Sequence, residues 1–137
     1  MGRTKRILVV EDETGIRSLL SDVLIRNGFD VSMAKDGQES LDQLEDSYFD
    51  LVITDIHMPR LDGIEMLKSM KKTGRKEKVI IMTGNISDQR LTDPGIPPVV
   101  TRLEKPFKID KFLDVVASAT AGAKAMSRIE TQQAAIR

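Results

Sequence analysis

Short apolar runs and helical stripes alternate along this chain. Ile7, Leu8, Val9 and Val10 form an unbroken apolar run that stops at Glu11-Asp12. Runs apolar at every position suggest strands buried on both faces, as in parallel sheets. Ile16, Leu19, Leu20, Val23 and Leu24 then recur at helical spacing, and Asn27-Gly28 supplies a C-terminal stop. Val31 and Met33 alternate with polar neighbours, the pattern of a half-exposed edge strand. Leu41 and Leu44 mark a short helix after Asp36-Gly37. Leu51–Ile53 is a second buried run ending at Asp55, and Pro59 and Asp62-Gly63 punctuate the loop that follows. Ile64, Met66, Leu67 and Met70 predict a third helix, and Val79–Met82 a further buried strand ending at Thr83-Gly84. Pro94, Gly95, Pro97 and Pro98 require any helix after Asn85 to end by about Asp93. Val99–Leu103 predicts the last strand, and Ile109, Phe112, Leu113 and Val116 the last clear helix.

Strands alternating with helices predict a parallel sheet covered on both faces, with right-handed crossovers. The 137 residues, 40% of them hydrophobic, suit one globular domain. There is no Cys, which excludes disulfides, thiolate zinc sites and cysteine nucleophiles, and the single His57 excludes a His-rich metal site. Lys and Arg number 21 against 21 Asp and Glu, so no global field draws in nucleic acid or membrane. No apolar run approaches the ~20 residues of a membrane span, and the polar N-terminus does not read as a signal peptide. The expected location is the cytoplasm. Lys68, Lys71, Lys72, Arg75, Lys76 and Lys78 cluster around Gly74 without interleaved aromatics, the composition of a solvated loop. Met66, Met70 and Met82 fit apolar faces and read as core.

The polar residues that close the predicted strands concentrate the chemistry. Glu11 and Asp12 follow the first strand, Asp55 the third, Thr83 the fourth, and Lys105 the fifth. In an open parallel α/β sheet all carboxyl ends share one edge, where ligands bind. Three carboxylates, a hydroxyl and an ammonium would therefore meet on one rim. Clustered carboxylates repel unless a cation intervenes, and oxygen-only ligands favour a hard divalent ion such as Mg²⁺. Any one of these acids alone reads equally well as loop or N-cap chemistry; their joint occurrence at successive strand ends does not.

Four segments carry a family resemblance: Ile7-Leu-Val-Val-Glu-Asp12, Asp50-Leu-Val-Ile-Thr-Asp55-Ile-His57-Met-Pro59-Arg-Leu-Asp62-Gly63, Ile80-Ile-Met-Thr83-Gly84 and Leu103-Glu-Lys105-Pro106-Phe107. Over about residues 5–120 the chain resembles the receiver domain of two-component response regulators. That resemblance implies a flavodoxin-like, five-stranded sheet of order 2-1-3-4-5 with about five helices, the fourth shortened or irregular here. It further implies that Asp55 takes a phosphoryl group from a phosphohistidine on a sensor kinase or phosphotransfer protein. Asp12, Asp55 and the His57 carbonyl would ligate Mg²⁺, with Glu11 acting directly or through water. Lys105, Thr83 and the Gly84 N–H would bind the phosphoryl oxygens, and Lys105-Pro106 would be a cis peptide. The His57 ring and Asn85 would flank the pocket mouth and tune hydrolysis. The protein would not turn over a separate substrate, but phosphorylate and slowly dephosphorylate itself.

The chain departs from the family pattern at Arg102, where receivers usually carry a Tyr or Phe that couples the Thr to the output face. Together with the prolines after Asp93, this predicts a loop-like, mobile segment 85–98 with only Ile86, Leu91 and Ile96 as apolar anchors, and an Arg102 exposed or paired with an acid. Residues 1–121 are assigned to the receiver and 122–137 to a tail or an extension of the last helix, whose Ala123, Met126, Ile129 and Ile136 keep a helical rhythm. Such a stripe would suit an output protein or a weak homodimer. Two function classes stand: a stand-alone phosphoacceptor signalling by protein binding, and a pseudo-receiver docking module that works without phosphorylation. Intact Asp55, Lys105 and the acid pair favour the first. An aspartate-nucleophile phosphatase would need a second acid where this chain has His57.

Overall fold

The computed structural model describes residues 3–121, so the expected helical tail lies outside the described residues. Five parallel strands form one sheet of order β2-β1-β3-β4-β5: β1 Arg6–Val10, β2 Asp30–Ala34, β3 Leu51–Asp55, β4 Lys78–Thr83 and β5 Thr101–Glu104. The central strands β1, β3 and β4 are those whose runs are apolar at every position. Three α-helices connect them, α1 Thr14–Arg26, α2 Gly37–Asp46 and α3 Gly63–Lys72, and α4 Ile109–Thr120 follows β5. Where a further helix was expected there is only a 3-10 turn, Gln89–Thr92, because the prolines leave no room for more.

Side-chain alternation along the strands divides the core in two. Ile7, Val9, Leu51, Ile53, Ile80 and Met82 pack with Leu20 and Leu24 of α1 and with Phe112 and Val116 of α4. Leu8, Val10, Val52, Val79 and Ile81 pack on the other face with Leu44 of α2 and with Ile64, Leu67 and Met70 of α3. Leu91 and Ile96 join this second cluster, so the 85–98 segment covers the sheet where a fourth crossover helix would lie. Of its three expected anchors these two are buried, while Ile86 is exposed. The apolar stripe of α1 is wider than the core it serves: Leu19 stays 51% exposed. Among the described residues no helix is long and apolar enough to cross a membrane.

Local chemistry sets where the helices begin. Asp36 and Asp62 cap α2 and α3 by accepting from the amides of Glu39 and Glu65 at 2.8 and 3.0 Å. Gly63 follows Asp62 because its backbone lies against the chain of β3. A Cβ there would sit 2.2 Å from the carbonyl oxygen of Asp55.

One part of the basic cluster corrects the solvated-loop expectation. The Arg75 side chain is largely buried and donates to the carbonyls of Leu44 and Ser47 at 2.6 and 2.7 Å. It pairs with the buried Glu77, whose other contact is the Phe49 amide at 3.3 Å, and it lies over the Tyr48 ring. Arg75 thereby seals the end of α2 to the start of β4, since a buried charge persists only when paired and hydrogen-bonded. Lys71, Lys72, Lys76 and Lys78 are exposed, and Lys68 pairs with Asp93 at 3.1 Å.

Asp50 ties the N-terminal strand to β3. Its carboxylate accepts from Arg3 at 2.8 and 2.6 Å and from the Arg6 amide at 2.8 Å. The Arg3 contact outweighs partial burial and holds the Asp50 carboxyl below its ordinary value of 3.8. A carboxyl depressed on folding adds stability that is fully present above 3.8 and is lost as the pH falls through its folded value. Urea unfolding between pH 6 and 2 is therefore expected to show a flatter acid loss in Asp50→Asn than in the native chain, with the two curves furthest apart above pH 4. Parallel curves would contradict the pairing.

Candidate functional site

Strand register brings the polar strand ends together. Val10 pairs with Thr54, so Glu11 and Asp55 leave the sheet side by side. Asp55 pairs with Met82, which sets Thr83 one residue beyond it. Thr83 pairs with Glu104, and the Lys105 amide donates to the Thr83 carbonyl at 2.8 Å. The carboxylate oxygens of Glu11, Asp12 and Asp55 lie within 4.8 Å of one another.

A single cation binds two of these acids. The Lys105 Nζ donates to Glu11 Oε1 and to Asp55 Oδ2, both at 2.7 Å. Glu11 is fully buried, Asp55 nearly so, and Asp12 exposed. Burial pushes the Glu11 carboxyl above its ordinary range, against the opposing pull of Lys105. For Lys105 burial acts downward, but the bonds to Asp55 and Glu11 outweigh it and hold the ammonium above its ordinary value. Three carboxylates against one ammonium leave a net charge of −2 when all are ionised.

The surrounding main chain fixes these groups. Glu11 Oε2 accepts from the Glu13 amide at 3.0 Å, joining the acid pair to the start of α1. Arg17, one turn into α1, donates to the carbonyls of Glu11 and Asp12 at 2.8 and 3.3 Å. Asp55 Oδ1 accepts from the His57 amide at 3.2 Å. The His57 ring is exposed, with Nε2 3.7 Å from Asp88. Thr83 is buried; its Oγ1 accepts from the Asn85 amide at 3.0 Å and donates to the Asn85 carbonyl at 3.3 Å. Gly84 and Asn85 are exposed beside it, and the Lys105-Pro106 peptide is cis. Arg102 stands apart: exposed on the edge strand β5, it donates to the Leu91 carbonyl at 3.2 Å and meets no acid among the described residues.

Three polar residues at this end of the molecule escaped the reading of the sequence. Besides Arg17 they are Arg90 and Asp88. Arg90 forks between Asp62 at 2.8 Å and Asp88 at 3.3 Å. Main-chain and side-chain bonds from Arg90 hold the Asp88 carboxyl below its ordinary value. Partial burial raises that of Asp62, but the Glu65 amide and Arg90 more than offset it and leave it depressed as well. Arg17 carried a usable signal, a cation in the first turn of a helix, where the dipole disfavours it. Arg90 carried none, because its partner Asp62 is distant in sequence, and Asp88 reads as one more loop acid.

The donor set is that of a hard divalent cation: oxygen only, net negative, partly exposed and free of nitrogen or sulfur ligands. Mg²⁺ fits it, through Asp12, Asp55 and Glu11.

A five-stranded parallel sheet of order 2-1-3-4-5 with clustered acids, a lysine and a threonine at its carboxyl edge is a doubly wound α/β domain with its site at the strand ends. Residues 7–117 match the response regulator receiver domain, and the chain belongs to that family. It is 37% identical over 112 residues to sporulation initiation phosphotransferase F of Bacillus subtilis, covering 82% of this chain and 90% of that protein. It is 35% identical over 124 residues to the transcriptional regulatory protein FixJ of Bradyrhizobium diazoefficiens, covering 90% of this chain but 60% of that longer protein. Among solved structures it resembles the response regulator TrrA of Thermotoga maritima in complex with Mg²⁺ and BeF, with a TM-score of 0.74, 32% identity and coverage of 85% of this chain and 99% of that one. The CheY-like receiver of Methanospirillum hungatei superposes with a TM-score of 0.80 at 25% identity, covering 92% and 99%.

Removing the lysine leaves a buried carboxylate without its counter-charge. Lys105→Met is expected to lower stability by about 3–5 kcal/mol at neutral pH. Because the Glu11 carboxyl is already raised on folding, its ionised form is the one that opposes folding. The deficit should thus be larger at pH 8 than at pH 5, and added Mg²⁺ should narrow it. Urea unfolding at both pH values, with and without Mg²⁺, checks this. A deficit independent of pH would refute it.

Proposed function

We propose that this chain is the phosphoacceptor of a cytoplasmic two-component relay, in which Asp55 takes a phosphoryl group from a phosphohistidine and the modified domain signals by binding another protein. The observation that carries the reading is the convergence of Glu11, Asp12 and Asp55 within 4.8 Å, with Lys105 at 2.7 Å from two of them. In-line attack by an Asp55 oxygen forms the O–P bond as the P–N bond of the donor breaks, and the donor imidazole keeps the electron pair. Mg²⁺, when bound by Asp12, Asp55 and the His57 carbonyl, with Glu11 direct or through water, neutralises charge on the transferring group.

The chain's own residues divide the remaining work. Lys105, already in contact with Asp55, follows the negative charge from the carboxylate to the phosphoryl oxygens. Thr83 and the Gly84 N–H donate to another of them. His57 and Asn85 stand at the mouth and govern the approach of the water that slowly hydrolyses the acyl phosphate.

The donor needs a surface beside the acceptor. A hollow of about 410 Å³ lies next to Lys105, lined by Ile16, Leu19 and Leu20 of α1 and by Pro106, Phe107 and Ile109. Leu19 is exposed there, and Phe107 is stacked on Phe112 with ring centroids 5.8 Å apart. An amphipathic donor helix laid across it would present its histidine to the acid rim. The likeness to a relative named as a phosphotransferase supports the relay role.

Acetyl phosphate with Mg²⁺ is expected to modify the native chain once, by intact mass, and to leave Asp55→Asn unmodified. Asp12→Ala should bind Mg²⁺ at least tenfold more weakly. An unmodified native chain, under conditions where another receiver reacts, would replace this reading with that of a docking module.

A further inference from the structure

We propose that Arg90 is a positioning residue: it holds Thr83 away from the phosphoryl group and so sets how tightly Asp55 and its neighbours take that group. The inference rests on the assignment of Asp55 as acceptor. It concerns a chain of contacts that joins the two loops flanking that residue.

The chain starts at Thr83, whose hydroxyl exchanges both its bonds with the main chain of Asn85. Asn85 in turn closes a tight turn. Its carbonyl accepts from the Asp88 amide at 3.1 Å and its side chain from the Ser87 amide at 3.2 Å. Asp88 at the end of that turn accepts from the Arg90 amide at 2.9 Å and pairs with the Arg90 guanidinium. The other arm of the same guanidinium reaches Asp62 at 2.8 Å. Asp62 caps α3 immediately before Gly63, which lies against the Asp55 carbonyl. Arg90 therefore fastens the turn after β4 to the loop after β3. Leu91 beside it is buried, and its carbonyl is held by Arg102 from β5.

A hydroxyl has one proton to give. Thr83 cannot donate to Asn85 and to a phosphoryl oxygen together. Turning to the phosphoryl group means releasing the Asn85 carbonyl, after which the turn must relax. The Arg90 fork opposes that relaxation because it ties the Asp88 end of the turn to Asp62 in the loop after β3. It stabilises the unmodified arrangement, and by linkage it weakens binding of any phosphoryl group that needs the other one. A partly exposed ion pair shifts an equilibrium by a factor of about two to five, and the fork holds two.

The test uses beryllofluoride at saturating Mg²⁺ on the full chain, followed by amide resonances. Arg90→Gln is expected to bind it roughly three- to tenfold more tightly than the native chain, with Mg²⁺ affinity in its absence unchanged. Arg90→Lys should fall between, because an ammonium reaches one carboxylate at a time. Without beryllofluoride, amide exchange at Asn85, Ser87 and Asp88 should quicken in Arg90→Gln while the central strands keep their protection. Should Arg90→Gln lose its fold, Asp88→Asn opens the same fork from its other end. Equal or weaker beryllofluoride binding by the variants, or unchanged exchange in the turn, would overturn the inference while leaving the acceptor assignment standing. Failure of the native chain to bind beryllofluoride would overturn the acceptor assignment and this inference with it.

Discussion

A lysine ammonium between two carboxylates is the contact around which the rest of this domain is arranged. Lys105 arrives at the end of an edge strand, Glu11 and Asp55 at the ends of neighbouring central strands, and the Nζ stands 2.7 Å from each acid. Three strands must hold their register for this to occur. Glu11 is fully buried, and a buried carboxylate without a counter-charge would protonate or destabilise the fold. The two-sided core answers that demand. Its central strands carry the apolar runs Ile7–Val10, Leu51–Ile53 and Val79–Met82 and end in polar residues at the rim, so a slip of one residue there would bury an acid or expose a Val or Ile.

The loops that leave this rim are pinned rather than left to solvent. The β3–α3 loop packs against the start of α2, where the Gly37 amide donates to the Leu61 carbonyl at 2.9 Å and the exposed Arg60 pairs with Asp36 at 3.3 Å. Arg60 itself has φ 66°, a left-handed conformation uncommon for a side-chain-bearing residue. That conformation turns the chain so that Asp62 and Gly63 begin α3 directly beneath Asp55. The acid loop after β1 is held by Arg17 in the same spirit. Precise placement of a few oxygens is what in-line chemistry demands, and here main-chain bonds supply it.

Most of this was legible in the residues because it depends on local pattern. Apolar runs such as Ile7–Val10 and Val79–Met82 mark strands buried on both faces, and the polar residue that ends each run marks the rim. Sheet order was not legible in that way; it came with the family resemblance carried by the motifs around Asp55 and Lys105. Contacts between residues far apart in sequence stayed hidden. Arg75 looked like one more surface cation among lysines, yet it is buried with Glu77 and the carbonyls of Leu44 and Ser47. Nothing in the composition around Gly74 distinguishes it, because the carbonyls that enclose it beside Glu77 come from another helix and its loop. The segment 85–98 was legible as irregular, through its prolines, and Leu91 and Ile96 as its anchors; that Ile86 stays exposed was not, because no periodic pattern reveals which way it faces.

Arg102 bears on how a signal could leave such a site. Its usual family counterpart is an aromatic ring, which can be swallowed by a core; a guanidinium cannot follow without a partner. On the edge strand β5 it stays exposed and spends its hydrogen bond on the Leu91 carbonyl. It therefore grips the outer segment from the edge strand, while Arg90 grips the same segment from the loop after β3. Between them lies the buried Leu91, the anchor that both cations flank. Main-chain and charged contacts join Thr83 to this anchor through Asn85 and Asp88, whose carbonyl accepts from the Leu91 amide at 3.1 Å. Polar contacts at a partly exposed surface are weaker and more easily exchanged than core packing. In this chain the packed sheet holds Glu11, Asp55 and Thr83 in place, and the residues 85–98 are fastened over it by the buried Leu91 and Ile96 and by the polar contacts of Arg90 and Arg102.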